Sequence, residues 1–356
     1  MPTCGRFLNL VSTIRWTPDS TGRACRAHSP QCHDGRMNLL SALHPGGDAI
    51  TVRNLVKNYR QPGGGTLAAV DRLQLTIRAG ETYALLGPNG AGKSTTIEIL
   101  EGHRRPDSGD VRVLGANPWK APPAFRARIG IVLQEASDAG ELRVHEALGS
   151  LARCFPEPRP VAEVITAVGL GGKETARIST LSGGQRRRLD VALGIIGRPE
   201  VLFLDEPTTG FDPAARRQFW DLIRTLGSGG TTIVLTTHYL DEAEQLADRI
   251  GVIDHGRLIA EGAPDQIGGS ALRIPRVRWR DGSGFHEQIT ERPAALVNEI
   301  SDGGSREVPE LSVVRPSLED VYLQLIGVAE EVGPPPAETA GPGTPATEPS
   351  SEGVRS

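Results

Sequence analysis

From about Ile50 onward, short apolar runs alternate with stretches whose apolar residues recur at helical spacing. That rhythm belongs to βαβ units and a mostly parallel sheet, so it predicts an α/β fold. Thr82-Tyr83-Ala84-Leu85-Leu86 predicts a buried strand ending at Gly87, and Ile97 and Leu100 predict the short helix behind it, closed by Gly102. Further strands are predicted at residues 128–133, 201–204, 232–236 and 250–253. Between them, residues 136–177 read as mainly helical, with Pro156, Pro158 and Pro160 in the middle.

The pattern changes after Gly262-Ala263-Pro264. A strand-like run from Leu272 to Trp279 leads to a turn at Asp281-Gly282-Ser283-Gly284. A helical stretch from Ala294 to Ile300 follows, then a strand near Leu311 to Val314 and a helix from Ser317 to Ile326. At about 55 residues this α+β appendage is too small to hold a large core of its own and should lean on the main domain. Residues 1–47, rich in Arg, Ser, Pro and Gly, carry no sustained apolar pattern and read as a disordered extension. Met1 and Met37 are the two methionines, and Met37 is the expected translation start. Six prolines and five glutamates between Glu330 and Ser356 mark a disordered tail, taken from residue 328 onward.

Composition narrows the function classes. The chain of 356 residues has net charge −4, which gives no support for a nucleic-acid partner. No run of 18 apolar residues occurs, so no membrane-spanning helix is expected and the chain reads as soluble or peripheral. Four cysteines are too few for a secreted disulfide scaffold, and Cys25, His28, Cys32 and His33 match no strong zinc spacing.

Three motifs carry chemistry. Gly87-Pro88-Asn89-Gly90-Ala91-Gly92-Lys93-Ser94 fits the phosphate-loop pattern, set between a predicted strand and a predicted helix. Its glycines let backbone N–H groups close around phosphate oxygens, Lys93 supplies charge, and the Ser94 hydroxyl can ligate Mg²⁺. Val201 to Leu204 runs into Asp205 and Glu206, one acid placed to hold the metal and the other to polarise attacking water. His238 ends the next apolar strand. Open α/β sheets bind ligands beyond the carboxyl ends of their strands, so these groups should converge. Leu181-Ser182-Gly183-Gly184-Gln185 has the spacing of a capping box, with Leu189, Leu193 and Ile196 as the apolar stripe behind it. Two flexible glycines there make a second phosphate-binding helix start. Two such starts for one nucleotide suggest that the second serves a nucleotide held by another subunit.

In this order, the phosphate loop, the LSGGQ run and the aliphatic-Asp-Glu-Pro run resemble the ATP-binding subunit of an ABC transporter, over roughly Ile50 to Gly327. The resemblance implies a P-loop ABC cassette across residues 48–270. It has a mostly parallel sheet, an antiparallel β region and a helical subdomain at about 136–178, with the appendage at 271–327. It implies that Tyr59 stacks on adenine, that Thr95 joins the phosphate loop in binding ATP, and that Gln134 contacts Mg²⁺. It also implies Asp212 at the dimer interface, Glu206 as catalytic glutamate and His238 as the sensor of γ-phosphate. The interface loop reads Thr-Gly-Phe-Asp where many relatives have Ser-Ala-Leu-Asp. Residues 96–115, 236–250 and the run PSLEDVYLQLIG resemble the daunorubicin-resistance type of exporter ATPase.

The implied function is ATP hydrolysis, with Mg²⁺, that drives export of a small amphiphilic molecule such as an antibiotic. The implied partners are an integral-membrane permease and a second ATPase subunit, either an identical copy or a paralogue. The implied location is the cytoplasmic face of the membrane. An importer, a lipid exporter or an ABC ATPase acting on nucleic acid or the ribosome remain the alternatives. The last would predict tandem cassettes, a basic linker or a long coiled coil, which the sequence lacks.

Overall fold

The computed structural model describes residues 47–61, 64–132 and 141–332. Readings that fall before residue 47, on Gln134, or beyond residue 332 lie outside the described residues. A six-stranded sheet forms the centre, in the order β5 (Ile129–Val132), β6 (Val201–Asp205), β7 (Thr232–Thr237), β3 (Thr82–Leu86), β8 (Arg249–Asp254) and β9 (Arg257–Gly262). The first five strands run parallel, and β9 closes the edge antiparallel to β8.

Both faces of this sheet are covered, which is why its strands are continuously apolar rather than alternating. Leu202, Leu204, Ala84, Leu86, Ile233 and Leu235 point into one core with the helices α3 (Val144–Ala152), α4 (Val161–Ala167), α5 (Gly183–Ile195), α6 (Pro213–Ser228) and α7 (Leu240–Leu246). Val201, Phe203, Tyr83, Leu85 and Val234 point into the other. There they meet α1 (Lys93–Leu100) and a three-stranded antiparallel sheet, β2 (Thr66–Arg78), β1 (Asp48–Arg60) and β4 (Ser108–Val113). A single-turn helix, α2 (Pro123–Arg126), precedes β5.

Among the described residues between β5 and α5, helical content is lower than predicted. Among the described residues of 141–178, α3 and α4 are the α-helices, and the prolines at 156, 158 and 160 fall in the connection between them. Proline removes backbone donors and disfavours helix at the residue before it.

The appendage folds as a second antiparallel sheet, β11 (Gly284–Ile289), β10 (Arg276–Asp281) and β12 (Ser312–Val314), with α8 (Pro293–Ile300) and α9 (Leu318–Val332). The predicted turn joins β10 to β11, pairing Asp281 with Gly284. The predicted strand from Leu272 is corrected. Residues Ser270–Arg273 form a 3₁₀ turn, and the strand starts only at Arg276. Leu272 and Ile274 mimic strand alternation, but Pro275 cannot donate to a ladder. Arg273 instead folds back, its Nε donating to the Ile267 carbonyl at 3.2 Å. The tail reading from residue 328 is also corrected, because α9 continues to Val332. Leu318 and Val321 of α9, 3% and 0% exposed, belong to the core of the main domain beside Ile267. Among the described residues no helix is long and apolar enough to cross a membrane.

Candidate functional site

Three neighbouring strands bring the predicted groups to one edge. In the register of the sheet, Leu85 and Leu86 of β3 lie beside Thr236 and Thr237 of β7, and Asp205 of β6 lies opposite Thr236. The phosphate loop, the acid pair and His238 therefore leave the carboxyl ends of β3, β6 and β7, with β7 between the other two.

The loop is built by glycine. Gly92 has φ 102°, and a Cβ there would lie 2.1 Å from the Ala69 carbonyl oxygen; a Cβ on Gly87 would lie 2.2 Å from that of Ile253. Only glycine fits either place. Lys93 opens α1 and is 5% exposed, its Nζ donating to the carbonyls of Gly87 at 2.8 Å and Pro88 at 3.1 Å. Burial lowers its pKa, against the opposing pull of Glu206 and Asp205. Asn89, Gly90 and Ser94 are exposed at the loop's mouth, with Pro88 and Thr95 half-buried and Ala91 buried in the core. Tyr59, on β1, sets its hydroxyl 3.4 Å from Thr95 Oγ1.

Asp205 is raised in pKa, first by burial and then by Glu206, while a hydrogen bond from Thr236 opposes the rise. Glu206 has φ 43°, a left-handed conformation uncommon for a residue with a side chain. Its Oε1 lies 3.3 Å from His238 Nδ1, and Thr209 Oγ1 lies 3.5 Å from Oε2. A carboxylate and an imidazole thus face each other beside a buried ammonium group. That set can bind phosphate and take a proton from water.

Ser182 caps α5 as its spacing predicted: Gln185 N–H donates to Ser182 Oγ at 3.3 Å, and Ser182 N–H donates to Gln185 Oε1 at 3.2 Å. Ser182 and Gly183 are exposed, and a Cβ on Gly184 would lie 3.7 Å from that of Ala215 in the first turn of α6. Asp212 caps α6, accepting from the Ala214 and Ala215 amides at 2.9 Å.

Sequence reasoning missed two groups that hold this edge together. Arg187, 8% exposed, donates to the carbonyls of Asp205 at 2.8 Å and Pro207 at 2.9 Å, fastening α5 to the end of β6. It lies in a run of three arginines that reads as a solvated face; the signal was its place on the same turn as Leu189. Thr236 was passed over as strand filler, although a hydroxyl in a strand buried on both faces needs a partner.

Mg²⁺ fits the donor set. Ser94 Oγ and the half-buried Asp205 carboxylate are hard oxygen ligands, and Mg²⁺ takes one or two carboxylates plus substrate phosphates rather than a protein cage. No group of three or more His, Cys, Asp or Glu side chains able to hold a metal occurs among the described residues.

A family model described as "ABC transporter" matches residues 70–209. The daunorubicin/doxorubicin resistance ATP-binding protein of Streptomyces peucetius is 43% identical over 312 residues, covering 78% of this chain and 92% of its own. The Nod factor export ATP-binding protein I of Neorhizobium galegae is 40% identical over 303 residues, covering 78% and 85%. Among solved structures, an ATP-binding subunit of an ABC transporter superposes with TM-score 0.57 at 21% identity, covering 78% of this chain and 99% of that one. A dimeric cassette bound to ADP and Pi in a post-hydrolysis state superposes with TM-score 0.55 at 23% identity, covering 60% and 98%. At such identity the two structures establish the fold. The relatives, with the family model, place the chain in the ABC transporter family, as an ATP-hydrolysing, ATP-binding subunit of its drug-exporter branch.

Proposed function

We propose that this chain powers export of a small amphiphilic molecule through a separate integral-membrane permease, from the cytoplasmic face of the membrane, and that two such subunits share two ATP molecules head to tail. The observation that carries the export reading is the 43% identity, across nearly the whole of that relative, to a daunorubicin/doxorubicin resistance ATP-binding protein. The likeness to a Nod factor export ATP-binding protein keeps the reading from narrowing to a single compound.

In the proposed chemistry, Lys93 and the loop amides hold the phosphates, and Tyr59 stacks on the base. Ser94 and Asp205, with Gln134, hold Mg²⁺, which when bound neutralises phosphate charge. Glu206 accepts a proton from water as its oxygen bonds the γ-phosphorus; the bond to the β-phosphate oxygen breaks, giving ADP and inorganic phosphate. His238, beside Glu206, contacts the γ-phosphate. Ser182, Gly183, Gly184 and Gln185 of a second subunit complete the site from the other side, with Asp212 at the junction. The exposure of Ser182 at a helix start supports that role, since such an end attracts anions.

The test is transport. Inverted membrane vesicles carrying this chain and its integral-membrane permease partner should accumulate doxorubicin with ATP, and Lys93→Ala should abolish accumulation. ATP-independent accumulation, or accumulation that survives Lys93→Ala, would refute the reading.

A further inference from the structure

Thr236 is fully buried at the penultimate position of β7, directly opposite Asp205. A threonine hydroxyl has one proton to give and two lone pairs to receive with. Here the proton goes to Asp205 Oδ1. The oxygen in turn lies 3.1 Å from the Glu206 amide nitrogen, which donates to it. The same amide also points at the Thr236 carbonyl, again at 3.1 Å. One residue on the central strand therefore takes hold of both acids, the first through its carboxylate and the second through its main chain.

The geometry matters because Glu206 stands at φ 43°. A residue with a long side chain keeps that left-handed conformation only where its surroundings enforce it. Two acceptors on a single threonine, converging on one N–H, supply the enforcement. The conformation in turn sends the Glu206 side chain toward His238. On the other side, the hydroxyl proton is spent on Asp205 Oδ1, which restrains the carboxylate's rotation.

We propose that Thr236 is a positioning residue that locks the Asp205 carboxylate and the Glu206 main chain into one unit, so that metal binding and activation of water are set by the same hydroxyl. The inference rests on the reading of Asp205 as metal ligand and Glu206 as base. A satisfied strand-end threonine with no such role would cost stability when replaced, and nothing else.

The full chain carrying Thr236→Val, which keeps the volume and removes the hydroxyl, tests it beside Thr236→Ser and Thr236→Ala. Two quantities are read: the Mg²⁺ dependence of ATP turnover, and the affinity for N-methylanthraniloyl-ATP by fluorescence with and without Mg²⁺. Outer-shell partners of metal ligands are worth about 10–100-fold when removed. Thr236→Val should lose that much in kcat, need more Mg²⁺ for half-maximal rate, and show a smaller gain in nucleotide affinity on adding Mg²⁺. Its affinity without Mg²⁺ should match wild type, and Thr236→Ser should restore every quantity. Should Thr236→Val fail to fold, Thr236→Ala carries the same expectation. Wild-type kcat and Mg²⁺ dependence in the hydroxyl-free variants, or a Thr236→Ser as impaired as Thr236→Val, would overturn the proposal. Glu206→Gln measured alongside separates two failures. Wild-type turnover there overturns the base assignment itself, whereas a slow Glu206→Gln beside a normal Thr236→Val overturns the role of Thr236 alone.

Discussion

Lys93 donates to two carbonyls of its own loop, so the ammonium group is held where phosphate oxygens would replace those acceptors. Lys93→Ala should weaken ATP binding and reduce turnover together, the latter on the order of 10²-fold or more. Equilibrium binding and steady-state rates check this; normal binding with slow turnover would count against ground-state contact. Asp190, on α5, yields a prediction about pH. Burial raises its pKa to about 6, and its Oδ2 has no hydrogen-bond partner among the described residues. The ordinary value, 3.8, applies to the unfolded chain. As pH rises between those values the unfolded chain loses the proton first, so stability falls, and the full penalty is present above about pH 6. Asp190→Asn should therefore raise Tm at pH 8 and gain far less at pH 4. An equal gain at both would mean that the carboxylate is not ionising in the fold. The residues legible in the sequence were those whose type and spacing name their chemistry, such as Lys93, Glu206 and Ser182. Thr236 and Arg187 were not, because their partners lie 31 and 18 residues away and depend on how strands register.

At the level of elements, the strands of the central sheet were legible because burial on both faces makes them continuous apolar runs. The appendage was read less well. Pro275 undid a strand that alternation alone suggested, and β11 has three exposed polar or apolar residues in a row, Glu287 to Ile289, with no pattern to mark it. The same exposure shows that the appendage has little core of its own. Its main anchor is α9, whose Leu318 and Val321 are buried among main-domain residues. Leu318→Ala should cost about 2–5 kcal/mol of stability, seen as a lower Tm, while the rate per folded molecule is retained. A chain ending at Val332 keeps the whole helix and should hydrolyse ATP at the wild-type rate; a large loss would mean that the tail docks on the cassette.

For the molecule as a whole, one chain carries two helix starts of the kind that attracts anions. The first lies behind Lys93, at the edge of the central sheet. The second, at Ser182, is exposed and is braced by Arg187 against the end of β6. In the proposed head-to-tail pair, that brace would tie the acid pair of one subunit to the Ser182 end that meets the other. The most direct measurement is size-exclusion chromatography of Glu206→Gln with Mg·ATP, run beside Lys93→Ala and Ser182→Arg. Removing the base should slow hydrolysis on the order of 10²–10⁴-fold, or roughly 3–5 kcal/mol of barrier, so ATP persists. We expect Glu206→Gln to elute as an ATP-dependent dimer and both controls to remain monomers, the second because a bulky cation blocks the partner's phosphate end. Wild-type turnover in Glu206→Gln, or no dimer at any concentration of Mg·ATP, would contradict a site shared between two subunits with Glu206 as its base.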